Sequence, residues 1–200
     1  MNVAAAGADS EARAQRIYIV RHGQTERSAD GTYSGRAEIP LTATGREQAR
    51  RTGERLAGAG VDGVYSSPLS RAKHTAEAIA NATGAELRID DRLTEVDYGP
   101  LEGLNRESGG ERYGASFRAW RSNPFGSPLP GMEPLDDALQ RARSVTADAL
   151  RAFECPVLVG HQAILRLVLV ALGRIGPDEY FSTRLQEADP IEIVAPAIRA

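Results

Sequence analysis

A single cysteine, Cys155, stands in the whole chain, so no internal disulfide can form and a reducing, cytoplasmic setting is the natural one. It leads into the apolar run Val157-Leu158-Val159, where a small buried side chain fits better than a reactive thiol. Lysine is nearly absent too: Lys73 is the only one, against twenty-three arginines. Where such an arginine meets a phosphate, its planar fork suits two oxygens at once. No apolar stretch approaches the roughly 20 residues of a membrane span, and the longest, residues 163–172, is broken by Arg166. The net charge of −3 argues against nucleic acid, whose phosphates call for a basic surface. Neither a helical His-x-x-x-His pair nor a dense carboxylate cluster is present, so no metal and no other cofactor is expected.

What is there reads as one domain. Residues 1–15 are rich in Ala, Gly and charge, lack the basic start and apolar run of a signal peptide, and are expected to be a disordered tail. The domain then covers 16–200, long enough to bury one sizeable core. Residues 16–20 and 61–65 are apolar runs expected to be strands; 86–89, 156–159 and 191–194 follow as further strands. Between them fall helices: from Thr44, with Glu47 completing a capping box, to Gly58 or Gly60; from Ser67 as cap to Thr83 before Gly84; from Pro134 to Phe153; and over 163–172. Residues 94–133 lack a clean period, although 111–121 can form a helix that buries Tyr113, Phe117 and Trp120. Strands alternating with helices predict an α/β fold, a three-layer sandwich with a mostly parallel central sheet flanked by helices. In such sheets ligands bind beyond the carboxyl ends of the strands, and His22, residues 66–71 and His161 all follow strands directly.

Of the three histidines, two sit beside a glycine at a strand end, in Arg21-His22-Gly23 and Gly160-His161-Gln162, while His74 falls in a helix and reads as a surface or rim residue. A phosphoryl group in flight carries spread negative charge and asks mainly for positive charge around it and an in-line nucleophile. Arg21, Arg71 and His161 can supply the charge. His22 can attack through one ring nitrogen and hold the group as phosphohistidine until water removes it, with a backbone carbonyl on the other nitrogen. The leaving oxygen then needs a proton from a nearby carboxylic acid. Glu95, Asp97 and Glu102 are the candidates, and spacing alone does not choose among them.

The motifs Arg21-His22-Gly23-Gln24-Thr25-Glu26, Pro40-Leu41-Thr42-Ala43-Thr44-Gly45, Ser66-Ser67-Pro68-Leu69-Ser70-Arg71 and Gly160-His161-Gln162, in that order, resemble the histidine phosphatase superfamily, the phosphoglycerate mutase-like group with the R-H-G signature. The likeness covers residues 16–195 and is closer to the small phosphatase members than to the mutases. It implies the phosphoglycerate mutase-like fold, His22 as the phosphorylated nucleophile, Glu95 as the acid and base, and Arg21, Arg71 and His161 on the phosphate, with Gln24, Thr25, Ser28 and Gln162 as further substrate contacts. The partner it implies is a small phosphorylated metabolite, with no nucleic acid and no membrane, and a homodimer is compatible with it. Two departures stand out. The family often places asparagine where this chain has Ser28, and its G-G-E-S element reads Gly131-Met132-Glu133-Pro134 here. Substrate selection is expected from residues 104–132 and the loop after His22. The alternatives are phosphoglycerate mutase-type transfer, a fructose-2,6-bisphosphatase-like activity, and a phospho-ligand binding module without turnover.

Overall fold

Two strands with apolar residues on both faces form the middle of the molecule, as a sheet covered on both sides requires. In strand β1 (Gln15–Arg21), Ile17 and Ile19 point into one apolar cluster while Tyr18 and Val20 point into another. Strand β4 (Pro156–Gly160) divides the same way, Leu158 to the first side and Val157 and Val159 to the second. The computed structural model describes residues 15–195. The expected tail at 1–15 lies outside the described residues except for Gln15, which opens β1 and pairs with Ala195.

The sheet has five strands in the order β3-β2-β4-β1-β5, with β2 at Gly63–Ser66, β3 at Glu86–Ile89 and β5 at Ile191–Ala195. Four run parallel and β5 closes one edge antiparallel. Helices α2 (Ala43–Leu56) and α3 (Ser70–Thr83) pack on one face, α5 (Leu135–Ala152) and α6 (Gln162–Ala171) on the other, giving the expected α/β three-layer sandwich. Register then does the positioning. Arg21 lies opposite Gly160 and Ser66 opposite Val159, so β1, β2 and β4 end at one level and release His22, Ser67 and His161 at the same edge.

Several local expectations are corrected. Helix α2 is capped by Thr42, not Thr44: its side chain accepts from the Gly45 amide at 3.0 Å. The cause is tertiary, because the Thr42 amide is tied to the Gln24 carbonyl at 2.9 Å, and Glu47 turns outward to Arg50 and Arg51 instead. Ser67 does not cap α3 either. The helix starts after Leu69, and the Glu38 carboxylate reaches from the preceding loop to the Ser70 amide and hydroxyl, at 3.1 and 2.6 Å. Within the loop after His22 lies a short helix α1 (Glu26–Ala29), and the irregular stretch 94–133 contains a longer helix than expected, α4 (Arg106–Ser122), bent at Gly114. Phe117 and Trp120 are buried by α4 as expected, and Tyr113 only partly.

The loop carrying the nucleophile is clamped to α2 through bare backbone. A Cβ on Gly23 would stand 2.3 Å from the Gly45 carbonyl oxygen, and one on Gly45 would stand 2.1 Å from that of Gln24. The glycines of the two motifs exist for each other: neither tolerates a side chain without moving backbone.

Candidate active site

At the carboxyl edge of β1, β2 and β4 opens a cavity of about 450 Å³, lined among others by Arg21, His22, Arg71 and Glu95. His22 is buried, and its Nδ1 lies 2.7 Å from the carbonyl oxygen of Gly23. A carbonyl can only accept, so Nδ1 carries the hydrogen. Burial first, then Arg21 and Arg71, hold this imidazole well below its usual range, with the Gly23 hydrogen bond opposing them. His22 is therefore neutral, and its Nε2 keeps a free lone pair.

Arg71 enters from the first turn of α3, and every nitrogen of its guanidinium is held. Nη1 donates to Ala37 at 2.7 Å, Nη2 to Gly35 at 2.9 Å and Nε to Nδ1 of His161 at 3.1 Å. Gly35 sits at φ +47°, where a Cβ would run into Glu102, so glycine is what lets its carbonyl turn to Arg71. His161, at the N-cap position of α6, is 1% exposed and does not itself line the cavity. Since Nδ1 accepts from Arg71, Nε2 is the protonated nitrogen and donates to Ser67 Oγ at 2.8 Å. Burial, then Arg71, His22 and Arg21, push this imidazole well below its usual range as well. The positive charge beside His22 is thus that of arginine. The two histidine rings lie 5.1 Å apart between centroids.

Arg21, the last residue of β1, donates from Nη1 to the Leu185 carbonyl at 3.1 Å and faces Glu187 at 3.6 Å. Its buried Nε has no hydrogen-bond partner among the described residues. Glu95 stands across the site, 5% exposed, with its carboxylate on the N-terminus of α6: it accepts from the amides of Ala163 at 3.1 Å, Ile164 at 3.0 Å and Val96 at 2.9 Å. A helix N-terminus suits a negative group in this way. Of the three carboxylates singled out from the sequence, Glu95 alone lines the cavity. Asp97 accepts from the Gly99 amide, and Glu102 from that of Arg36.

The remaining residues singled out divide. Ser28 and Gln162 line the cavity, whereas Gln24 and Thr25 do not. The Gln24 side chain accepts from Thr42 at 3.0 Å, and Thr25 caps α1 by accepting from the Ser28 amide at 3.1 Å. Ser28 answers that cap, its hydroxyl accepting from the Thr25 amide at 2.8 Å, so it is part of a turn before it is anything else. Glu133, from the altered G-G-E-S element, is held by Arg141 at 2.8 and 3.0 Å and accepts from the Asp97 amide at 3.1 Å, which anchors the loop carrying Glu95. Sequence reasoning missed Arg27, Arg121, Arg166, Arg184 and Glu187, all on the cavity wall. Only Arg166 had a readable signal, one helical turn after Gln162 and so on the same face of α6.

Two buried imidazoles that shun their second proton make stability depend on pH. The unfolded chain takes up protons near pH 6.5 and the folded chain does so only well below, so stability is fully present above pH 6.5 and is lost as pH falls through it. The expected loss is about 2 kcal/mol between pH 6.5 and 5.5 for the pair, read as a shift in urea midpoint at constant slope. A flat stability over that interval would contradict the buried, neutral assignment.

The model of the histidine phosphatase superfamily (branch 1) matches residues 17–195. "Putative phosphoserine phosphatase 2" of Hydrogenobacter thermophilus is 33% identical over 180 residues, covering 90% of this chain and 89% of the relative. "Probable phosphoglycerate mutase GpmB" of Salmonella paratyphi B is 36% identical over 160 residues, covering 78% of this chain and 74% of the relative. Among solved structures, mycobacterial glucosyl-3-phosphoglycerate phosphatase superposes with a TM-score of 0.80 at 26% identity, over 90% of each chain. With the match running from β1 to β5, this chain belongs to the histidine phosphatase superfamily, branch 1.

Proposed function

We propose that the chain hydrolyses a small phosphomonoester through a phosphohistidine on His22, without a metal ion. The observation that carries the reading is the His22 hydrogen bond to the Gly23 carbonyl, which leaves Nε2 unprotonated in a cavity walled by Arg21 and Arg71. The Nε2 lone pair attacks phosphorus, an N–P bond forms, and the ester P–O bond breaks with its electron pair going to the leaving oxygen. That oxygen takes a proton from the Glu95 carboxyl group. Water then attacks the phosphohistidine, gives a proton to the Glu95 carboxylate, and the N–P electron pair returns to Nε2.

Arg21 and Arg71 hold the phosphoryl oxygens, with the unpartnered Nε of Arg21 as one donor. His161 fixes Arg71 through Nδ1, so it positions the phosphate grip from behind, and Ser67 fixes the tautomer of His161. Gln162 and Ser28 border the substrate. The relatives support the class of reaction, being named as a phosphoserine phosphatase and a glucosyl-3-phosphoglycerate phosphatase.

The test is release of inorganic phosphate from p-nitrophenyl phosphate with excess EDTA present. Turnover that EDTA leaves unchanged is the expected result, and loss of activity on chelation, restored by a divalent ion, would overturn it. Conversion of 3-phosphoglycerate to its isomer without free phosphate would instead identify a mutase.

A further inference from the structure

Glu95 leaves the chain from a stretch that no regular element holds. It follows the short helical turn Asp91–Leu93, and residues 94–98 are neither helix nor strand, so no ladder of backbone hydrogen bonds fixes where the carboxylate sits. The fully buried Leu93 and Val96 set its depth. Apolar contacts are not directional, however, and the polar backbone of the stretch still has to be met.

Arg141 meets it from the second turn of α5. Its Nη1 donates to the carbonyl oxygens of Arg92 at 2.7 Å and of Thr94 at 2.5 Å, while Nε and Nη2 donate to the two oxygens of Glu133 at 2.8 and 3.0 Å. Helical side chains lean toward the N-terminus, which lets Arg141 reach back to a residue that precedes α5. Glu133 then takes hold beyond Glu95. Its Oε2 accepts from the Asp97 amide at 3.1 Å, and its own amide donates to the Asp97 carbonyl at 2.9 Å. Pro134 adds stiffness, because the residue before a proline is confined to extended backbone. One mostly buried ion pair thus grips the chain on both sides of the proton donor, and neither member lines the cavity. The Glu133 carboxylate also meets Arg36 at 3.3 Å, in the loop whose Gly35 and Ala37 carbonyls hold Arg71. Acid and phosphate grip are tied to one point.

We propose that Arg141 and Glu133 are positioning residues for proton transfer, and that their ion pair sets the Glu95 carboxyl group against the leaving oxygen. This rests on the reading of Glu95 as the proton donor. Donor and acceptor must come within about 2.6–3.2 Å for the transfer. A misplacement of about 1 Å can cost about a hundredfold in rate.

The test is a ratio taken within one protein, kcat/KM on p-nitrophenyl phosphate over kcat/KM on glycerol 3-phosphate, so that a loss of folded enzyme cancels. Only the alkyl ester needs the proton. Arg141→Met is expected to raise the ratio by about tenfold or more. Arg141→Lys, which keeps the charge but not the fork, should raise it less. In the Glu95→Gln background, where the ratio is already high, adding Arg141→Met should leave it within about twofold, because both act on one step. Should Arg141→Met not fold with Glu133 stranded, combining it with Glu133→Gln removes the pair without leaving a buried charge, and should raise the ratio likewise. An unchanged ratio in the Arg141 variants, with both esters slowed alike, or a further tenfold rise in the Glu95→Gln background, overturns the positioning role and leaves Glu95 as donor. If Glu95→Gln itself leaves the ratio unchanged, the proton-donor reading fails and the positioning role falls with it.

Discussion

Replacing His22 with alanine is expected to lower kcat on p-nitrophenyl phosphate by about four orders of magnitude or more, because no other group in the cavity is placed to take the phosphoryl group. The other histidine has both nitrogens engaged, by Arg71 and by Ser67, and does not line the cavity. Alanine would also strip the Gly23 carbonyl of its donor, at a cost to stability of about 1–3 kcal/mol. His22→Asn is the cleaner variant, since its amide nitrogen can take the place of Nδ1 against that carbonyl while offering no nucleophilic nitrogen. Rapid quench into alkaline detergent after exposure to phosphate-labelled substrate should leave base-stable, acid-labile label on the wild type and none on either variant. Substantial turnover by the asparagine variant, with label still bound, would move the nucleophile elsewhere.

The residues around the phosphate were legible because they depend on short-range order. A buried apolar run ending in Arg21-His22 or Gly160-His161 delivers its last residues to the carboxyl edge of a parallel sheet whatever the strand order, so the order β3-β2-β4-β1-β5 did not have to be foreseen. Helix ends were harder. On paper Thr44 with Glu47 makes a capping box while Thr42, with glycine three residues on, makes only a plain cap, and only the bond from the Thr42 amide to Gln24, which belongs to the nucleophile loop, decides for Thr42. Ser67 has the look of a cap, but a hydroxyl bonded to the buried His161 is worth more where it is, and Glu38 does the capping from the other side of a loop. The rest of the cavity lining was illegible for a related reason. Arg121 comes from a bent helix, and its ring partner Phe181 packs on Tyr180, the ring partner of Arg166. No local period announces contacts of that kind.

Replacing Glu95 with glutamine is expected to cost about 10²–10⁴ in kcat/KM on alkyl phosphates and far less on p-nitrophenyl phosphate, whose phenolate leaves without needing a proton. The change is not silent for the fold. The carboxylate accepts from Val96, Ala163 and Ile164, and an amide turns one of those acceptors into a donor facing a backbone N–H or the cavity. A loss of about 1–3 kcal/mol in stability should accompany it. Structural damage and loss of a proton donor leave different signatures. Damage at the N-terminus of α6 would slow every substrate by a similar factor, whereas loss of the acid steepens the dependence of rate on leaving-group basicity. With the aryl ester the first step stays fast while the second, in which Glu95 takes a proton from water, slows. Glu95→Gln should therefore release one equivalent of nitrophenol in a burst and stall as the phosphorylated enzyme. An equal loss on aryl and alkyl esters with no burst would place Glu95 among the supports of α6 and leave the proton to another group.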